Sequence, residues 1–403
     1  MVLLMPLAQQ TTRIPEDRPL GGFRYRTQEF PQWTCAGWLN NEFAPAADAW
    51  IGEHLGLRGW LVMLNRQIRY SLFGQVEAAP LRKRALVIGK PPYLFENILL
   101  LDARLPLRVP PDQMEAFAGR LARTRDLLRD RGMAFLVVVA PNKALIYTNA
   151  LPAWARARIS GTNPDQVAFK DALARHAVPV LDTQDMFRDL SSRPPDVVPP
   201  HGIHWSHYGA WLTLQQALPL INRQAVLPAL PVPGTEDLVM DTPSSMNDEL
   251  RGQLNLFSSR HGTPVPSAYP VAAPLPPGAA PMLDVLVVGD SFGFTFLDAL
   301  ARSRLCRTLE FWFYAKNAKA AEPAAFDSRE IRGVPRIAGL EMPPGREAAA
   351  ARLLAGKNLV FLVVTTFNID KLAWNFDQLV EGLYGDPARA LAPAAELPLD
   401  LEN

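Results

Sequence analysis

The stretch VLVVGDSFGF, which spans residues 285–294, decides how this sequence is interpreted. Four apolar, β-forming residues run directly into Gly289, Asp290 and Ser291, and helical spacing begins after them. A serine between a strand and a helix is a favoured N-cap, which requires no chemistry. The same position can expose the hydroxyl as a nucleophile. The stretch therefore predicts a strand, a turn and a helix, and leaves the role of Ser291 to the rest of the chain.

Similar apolar strands recur along the chain and alternate with helical stretches. Strands are predicted over 133–141, 178–182, 283–290, 309–315 and 359–365, and a helix over 111–131. Runs of Val, Leu and Phe with little polar alternation are typical of parallel strands that are covered on both faces. The sequence therefore predicts an α/β fold, a parallel sheet flanked by helices.

The segments around this alternation differ in composition. Residues 1–45 have no clear period and are interpreted as an extended arm. Proline, 38 of the 403 residues, concentrates before a histidine cluster and in a long stretch without periodicity, and such long stretches in compact domains are often functional or disordered. The predicted organisation after the arm is one long helix or two short ones with a β-hairpin in 46–110, the α/β domain in 111–375 with a proline-rich excursion over 227–281, and a flexible tail over 376–403.

The bulk composition indicates a globular protein with little attraction for polyanions. With 403 residues, 48% of them hydrophobic, the chain can build one large domain or two ordinary ones. The formal net charge is +1 and no block of Lys or Arg stands out, which argues against nucleic acid as a partner. The only cysteines, Cys35 and Cys306, are far apart, so neither a zinc site nor a disulfide framework is predicted.

Three of the six histidines fall within HGIHWSHYGA, residues 201–210. Their spacing invites a metal site, but helical zinc ligands usually pair i with i+4, and no carboxylate or thiolate lies beside them. We therefore predict no metal and no cofactor. A helix is expected to begin near Tyr208, and His201 and His207 are interpreted as solvated loop residues.

Ser291, His204 and Asn368 each lie on a loop that leaves the end of a predicted strand. In α/β sheets, ligands bind outside the carboxyl ends of the strands. We predict that these loops bring together a nucleophile, its general base and an amide donor for the oxyanion, the parts of acyl transfer. Backbone N–H groups after Asp290 are alternative oxyanion donors, and capping or packing roles remain open for all three side chains.

The motifs around these residues resemble the blocks of SGNH hydrolases. VVGDSF resembles their Ser block, HWSHYGA their His block and TTFN their Asn block. His204 precedes Ser291, whereas ordinary members have the opposite order. With VVVAPNKALIY at 137–147, this order resembles the circularly permuted alginate O-acetyltransferase branch of AlgJ and AlgX type, over most of residues 45–375.

The resemblance implies a periplasmic enzyme that moves acetyl groups onto hydroxyls of an exopolysaccharide through an acetyl ester of the serine. It also implies a membrane-bound O-acyltransferase partner that supplies the acetyl group. The start MVLLMPLA would be the remnant of an N-terminal anchor to the inner membrane. Two alternatives remain open: an esterase that gives the acetyl group to water, and a non-catalytic scaffold that binds polysaccharide.

The chain departs from the family pattern at the acid that orients the histidine. The family has an Asp two or three residues before its His, where this chain has Gly202 and His201. Loss of that carboxylate can lower turnover by about four orders of magnitude. We predict that Asp182, Asp196, Asp185 or a backbone carbonyl takes its place, the alternative being impaired catalysis.

Two further residues are candidates for contact with substrate. Trp205, next to the histidine, is predicted to stack on a sugar face, with a core position as the alternative. Lys143 follows a predicted strand end and is predicted to contact substrate, with an ordinary surface position as the alternative.

Overall fold

The computed structural model describes residues 9, 11–12, 18–22, 29–54, 56–77, 82–104, 106–159, 161–277, 282–321 and 337–385. The stretch MVLLMPLA and residues 386–403 of the predicted tail lie outside these ranges. Within them, no helix combines the length and the apolar character needed to cross a membrane.

Strands and helices alternate through most of the chain. The strands are β1 (Leu86–Ile88), β2 (Leu94–Glu96), β3 (Ala134–Ala140), β4 (Val180–Asp182), β5 (Thr235–Asp241), β6 (Ser267–Ala272), β7 (Leu283–Gly289), β8 (Cys306–Phe313), β9 (Asn317–Ala321), β10 (Ile337–Gly339) and β11 (Leu359–Thr365). The helices are α1 (Cys35–Leu39), α2 (Phe43–His54), α3 (Arg58–Phe73), α4 (Asn97–Asp102), α5 (Pro111–Arg129), α6 (Lys143–Ile146), α7 (Ala153–Arg156), α8 (Pro164–Arg175), α9 (Gln184–Leu190), α10 (His207–Asn222), α11 (Phe292–Arg302), α12 (Arg346–Leu354) and α13 (Phe376–Tyr384).

A seven-stranded sheet in the order β10-β9-β8-β7-β11-β3-β4 forms the centre of the fold. The strands from β8 to β4 in this order are parallel, and β9 and β10 add an antiparallel edge. Because β3, β4, β7 and β11 are parallel, the loops that follow them leave the same edge of the sheet. This edge is where the sequence predicts the site.

Both faces of the sheet are covered, which explains why its central strands lack polar alternation. Leu136, Phe361 and Val287 lie side by side in register and face one core cluster, which α10 and α11 cover. The residues next to them in sequence face a second cluster, which α5, α8, α12 and α13 cover. The predicted α/β fold, a parallel sheet flanked by helices, is confirmed.

The N-terminal segment contains two short helices, α2 and α3, instead of one long helix. After them, β1 and β2 pair antiparallel around the Gly-Lys-Pro-Pro turn, as the sequence predicts. Val76 of this segment shares a small apolar cluster with Leu86 and Leu94 of the hairpin and with Leu250 and Leu254 of the proline-rich excursion. The segment therefore packs directly against the excursion.

Three stretches differ from their prediction. Residues 1–45 were interpreted as an extended arm, but Cys35–Leu39 forms the helix α1 and the helix α2 begins at Phe43. The excursion over 227–281, which has no periodicity, contains the antiparallel pair of β5 and β6 and a 3₁₀ turn at Arg251–Gln253. The predicted tail begins with the helix α13, whose Phe376 and Val380 are buried in the second core cluster. Asp377 accepts a hydrogen bond from Arg120 of α5, so an ion pair also fixes this helix to the domain.

Candidate active site

Ser291 lies at the turn between β7 and α11, but its side chain does not cap the helix. The neighbouring Asp290 takes that role, because its Oδ1 accepts a hydrogen bond from the backbone N–H of Phe292 at 3.1 Å. The hydroxyl of Ser291 instead lies 2.8 Å from Nε2 of His204. The side chain is therefore available as a nucleophile, with a base in hydrogen-bonding contact.

The other ring nitrogen of His204, Nδ1, lies 3.0 Å from Oε1 of Glu249. An ionised carboxylate only accepts hydrogen bonds, so Nδ1 carries the proton and Nε2 is left to accept the proton of the Ser291 hydroxyl. The same Glu249 oxygen accepts the backbone N–H of Ile203 at 2.7 Å, which fixes the carboxylate to the loop of the histidine. The contacts from Ser291 through His204 to Glu249 thus have the geometry of a nucleophile, a base and an orienting acid.

The acids predicted for this role lie elsewhere, which corrects the prediction. Asp182 accepts hydrogen bonds from Gln166, Lys170 and the backbone of Gln184. Asp196 accepts from the hydroxyls of two tyrosines and Asp185 pairs with an arginine, the partners being Tyr93, Tyr147 and Arg188. Each carboxylate is engaged by its own neighbours, and Glu249 contacts the imidazole instead.

Glu249 was missed because it lies in the proline-rich excursion, which has no periodicity to predict where it folds. The structure pairs this excursion with the histidine loop residue by residue: His201 with Asp248, His204 with Glu249, and His207 with Ser244. The only sequence signal was the pair of acids in MNDEL, residues 246–250. We call this part of the excursion, residues 244–250, the strap.

The strap also buries the two flanking histidines, which the sequence analysis placed in solvent. His201 is 1% exposed and His207 is 2% exposed. His207 begins α10, and its Nδ1 lies 2.6 Å from Oδ2 of Asp298, which also bonds Arg302. The prediction that these histidines are solvated is wrong, because each has a carboxylate partner. Within the described ranges, no group of three His, Cys, Asp or Glu side chains could hold a metal ion.

Asn368 comes close to the nucleophile but contacts its neighbour. The amide nitrogen of Asn368 donates to Oδ2 of Asp290 at 2.9 Å and to Oγ1 of Thr365 at 3.1 Å. Burial raises the pKa of Asp290, and the hydrogen bonds from Asn368 and Thr365 act in the opposite direction. The side chain would have to turn before it could donate to an oxyanion, so that role stays a prediction.

Two of the backbone alternatives are also engaged by Asp290. The N–H of Phe292 donates to the Asp290 carboxylate, and the N–H of Gly293 donates to the Asp290 carbonyl at 2.9 Å. Asp290 therefore organises the turn on three sides: it caps α11, holds the loop after β11 and closes the first helical turn.

Trp205 is completely buried, and its indole N–H donates to the carbonyl of Phe292 at 3.1 Å. The prediction that it stacks on a sugar is wrong, because no face of the ring is exposed. Its ring packs edge-on against Phe292, so it holds α11 against the histidine loop.

Lys143 is likewise completely buried, which overturns the prediction that it contacts substrate. Burial lowers the pKa of its ammonium to about 7, while the charges of Asp196 and Glu249 raise it. Its Nζ lies 2.7 to 2.8 Å from four backbone carbonyl oxygens, which share its three N–H donors: those of Leu94, Pro199, Pro200 and Gly202. Lys143 therefore holds the start of the histidine loop against β2.

A serine at a strand-to-helix turn, paired with a histidine and a carboxylate at the carboxyl edge of a parallel sheet, is typical of α/β hydrolases and acyltransferases, SGNH hydrolase-like domains among them. Residues 86–274, just under half of the chain, match the family described as SGNH hydrolase-like domain, acetyltransferase AlgX. The match agrees with the branch that the motifs resemble. The match includes His204 and Glu249. It ends before Ser291, whose place in the site rests on the geometry.

Solved structures to which this chain is similar include the O-acetyltransferase domain of Pseudomonas putida AlgJ, with 16% identity, a TM-score of 0.44, and coverage of 74% of this chain and 99% of that chain. Pseudomonas aeruginosa AlgX has 12% identity and a TM-score of 0.47, covering 74% and 67%. Bacillus cereus PatB1 has 13% identity and a TM-score of 0.44, covering 70% and 95%. At these sequence identities and TM-scores, the similarity does not identify a function. No curated protein sequence matches the chain.

Proposed function

We propose that this protein is an O-acetyltransferase that moves acetyl groups onto the hydroxyls of a polysaccharide. The observation that carries the proposal is the continuous contact from the Ser291 hydroxyl through His204 to Glu249. The AlgX-type family match over 86–274 supports acetyl as the transferred group.

In the first half of the reaction, Oγ of Ser291 attacks the carbonyl carbon of the acetyl donor while Nε2 of His204 takes its proton. The tetrahedral intermediate collapses as the leaving group departs with the proton from His204, and the acetyl ester of Ser291 remains. The Glu249 carboxylate stabilises the imidazolium that exists between these steps.

In the second half, a sugar hydroxyl takes the place of the leaving group. Nε2 of His204 removes the proton of that hydroxyl, whose oxygen attacks the ester carbon. The bond between the carbon and Oγ breaks, and His204 returns the proton to Ser291. Each half-reaction begins and ends with the same protonation state of the enzyme.

The esterase alternative uses the same groups and replaces the sugar hydroxyl with water, so the two differ only in the acceptor. The scaffold alternative rested on the missing family Asp. The contact between Glu249 and His204 favours a catalytic protein, because it supplies the carboxylate that the motif lacks.

We further propose that the acceptor is an exopolysaccharide, that the protein acts in the periplasm, tethered to the inner membrane by an N-terminal anchor, and that a membrane-bound O-acyltransferase supplies the acetyl group. The resemblance of the Ser, His and Asn motifs to the alginate O-acetyltransferase branch supports these proposals. Co-purification with a membrane acyltransferase, and loss of polymer acetylation in cells that carry Ser291→Ala, would test them.

The central experiment is to incubate the purified protein with p-nitrophenyl acetate and to locate acetyl groups by mass spectrometry. We expect one acetyl group on the peptide that carries Ser291, and none in Ser291→Ala or His204→Ala. Added polysaccharide that shortens the lifetime of the acetyl-enzyme and becomes acetylated identifies a transferase. A wild-type protein that stays unlabelled and turns over no ester contradicts the proposal.

A further inference from the structure

Three aromatic rings, those of Phe313, Tyr314 and Trp374, form a cluster that we call the aromatic corner. The rings of Tyr314 and Trp374 meet edge to face, with centroids 5.4 Å apart and an interplanar angle of 67°. The ring centroids of Phe313 and Tyr314 are 4.2 Å apart. All three rings are only partly buried, unlike the completely buried Trp205.

The corner adjoins the nucleophile. The backbone N–H of Tyr314 donates to the carbonyl of Gly289 at 2.8 Å, two residues before Ser291. The phenol itself interacts with the site: burial and the charge of Asp290 raise the pKa of Tyr314, and a hydrogen bond with Ser291 lowers it. The Trp374 ring therefore lies one aromatic ring away from the reacting hydroxyl.

The backbone of the aromatic corner is strained in both segments that form it, the one that follows β8 and the one that precedes α13. Tyr314 and Ala315 have φ of 51° and 48°, and the run Leu372 to Asn375 has φ between 43° and 62°. Left-handed conformations cost about 1 to 2 kcal/mol for each residue other than glycine. Strain of this kind persists at ligand sites, where the surrounding structure holds it. Arg346 holds this run through a hydrogen bond to the carbonyl of Trp374.

We propose that the aromatic corner is the acceptor subsite, in which the apolar face of a pyranose ring lies on Trp374 and presents a hydroxyl to the acetyl ester of Ser291. This inference rests on the proposed acetyltransferase function. The negative face of an aromatic ring attracts the partly positive C–H groups that line one face of a pyranose. Tyr314 borders both the sugar and the nucleophile, so the ring and the reacting oxygen would be held in one orientation.

The subsite makes a specific kinetic prediction, because donor and acceptor act in separate half-reactions. A ring that binds only the acceptor contributes no binding energy when Ser291 takes up acetyl from p-nitrophenyl acetate. The ring contributes binding energy when the acetyl-enzyme binds a glycan. Removal of the Trp374 ring should therefore affect the second half-reaction alone.

The test uses the full chain with Trp374→Ala and Trp374→Phe, and with Trp33→Ala as a matched control for loss of an exposed tryptophan elsewhere. Stopped-flow measures acetylation of Ser291 by p-nitrophenyl acetate, and mass spectrometry follows decay of the acetyl-enzyme with hexasaccharides of alginate, cellulose and chitosan. For Trp374→Ala we expect acetylation within about twofold of wild type and an acceptor concentration for half-maximal transfer raised about tenfold. Trp374→Phe should recover most of the loss, and Trp33→Ala should behave as wild type.

An unchanged half-maximal acceptor concentration in Trp374→Ala, with normal acetylation of Ser291, overturns the subsite and leaves the proposed function intact. Equal losses in both half-reactions also overturn it, because the ring would then support the turn of the nucleophile. A wild-type protein that takes up acetyl but transfers it to no glycan of the panel removes the transferase proposal and the subsite with it.

Discussion

At the scale of single residues, the site separates two roles that the sequence places on adjacent positions. A Ser that follows Asp at the start of a helix would normally be interpreted as its cap. Here Asp290 caps α11 and also holds Thr365 and Asn368, which leaves Ser291 free to bond His204. The neighbouring carboxylate thus takes the capping role and leaves the Ser291 hydroxyl in contact with His204.

Glu249→Gln should lower the rate of Ser291 acetylation by about 10³ to 10⁴ fold with little change in stability. A Gln amide can direct its N–H₂ group at Nδ1 of His204, which would move the ring proton to Nε2 and prevent it from accepting the serine proton. Mass spectrometry after a timed pulse of p-nitrophenyl acetate measures this rate. Asp182→Asn, at the acid that the sequence suggested, is the matched control and should retain near wild-type activity. Equal activity of Glu249→Gln and wild type would refute the assignment.

Lys143 should make the stability of the protein depend on pH. Burial lowers its pKa from 10.5 to about 7, so between these values the unfolded chain binds more protons than the folded one. Stability therefore rises with pH through this window, by about 1 to 2 kcal/mol from pH 7 to 8.5. Urea unfolding of wild type and Lys143→Met at several pH values measures the difference, and the variant should lack this rise. Parallel pH profiles for the two proteins would rule out a titrating ammonium.

At the scale of elements, close packing at one glycine positions α10, the helix that follows the histidine loop. A Cβ at Gly209 would lie 2.3 Å from the carbonyl oxygen of Val197 and 3.1 Å from the ring of Phe187. Gly382 in α13 has open space at the same position. The two helical glycines therefore form a matched pair for the same substitution.

Gly209→Ala should destabilise the protein by about 2 kcal/mol or more, because a backbone atom must move to admit the methyl group. Gly382→Ala should stabilise it by up to about 1 kcal/mol, because alanine favours the helix and meets no neighbour. Urea unfolding at fixed pH gives both values. If the free energy of unfolding changes in the same direction in the two variants, the packing of α10 against Val197 is not tight.

The helices and strands could be predicted wherever residues close together in the sequence determine them. The strands at 133–141, 283–290 and 359–365 correspond to β3, β7 and β11 within two residues at each end, because buried parallel strands need continuous apolar runs. The contact between Glu249 and His204 could not be predicted, because nothing in a loop without periodicity specifies which distant residue it meets. For the same reason, the burial of Lys143 was not predicted, and the burial of Trp205 was predicted only as an alternative.

At the scale of the whole molecule, the N-terminal segment and the excursion form one layer that supports the strap. The sequence separates them by more than a hundred residues, and their shared apolar cluster joins them. Arg66 of α3 adds polar contacts, since its guanidinium donates to the carbonyls of Gln253 and Leu254 and pairs with Glu77. Glu249, the proposed orienting acid, is therefore held from a region outside the sheet.

Because this layer supports the strap, a substitution at Arg66 of α3 should affect Glu249, which is not among the contacts described for Arg66. Arg66→Met should destabilise the protein by about 1 to 3 kcal/mol, because two carbonyls and Glu77 lose a charged donor. Hydrogen exchange should rise over residues 248–254, and acetylation of Ser291 should slow as the strap positions Glu249 less well. Arg69→Met on the same helix is the matched control, since Arg69 bonds only the exposed side chain of Asn65 among the contacts described for it. If both variants exchange and react alike, the N-terminal layer is independent of the site, and the strap holds Glu249 through its contacts with the histidine loop alone.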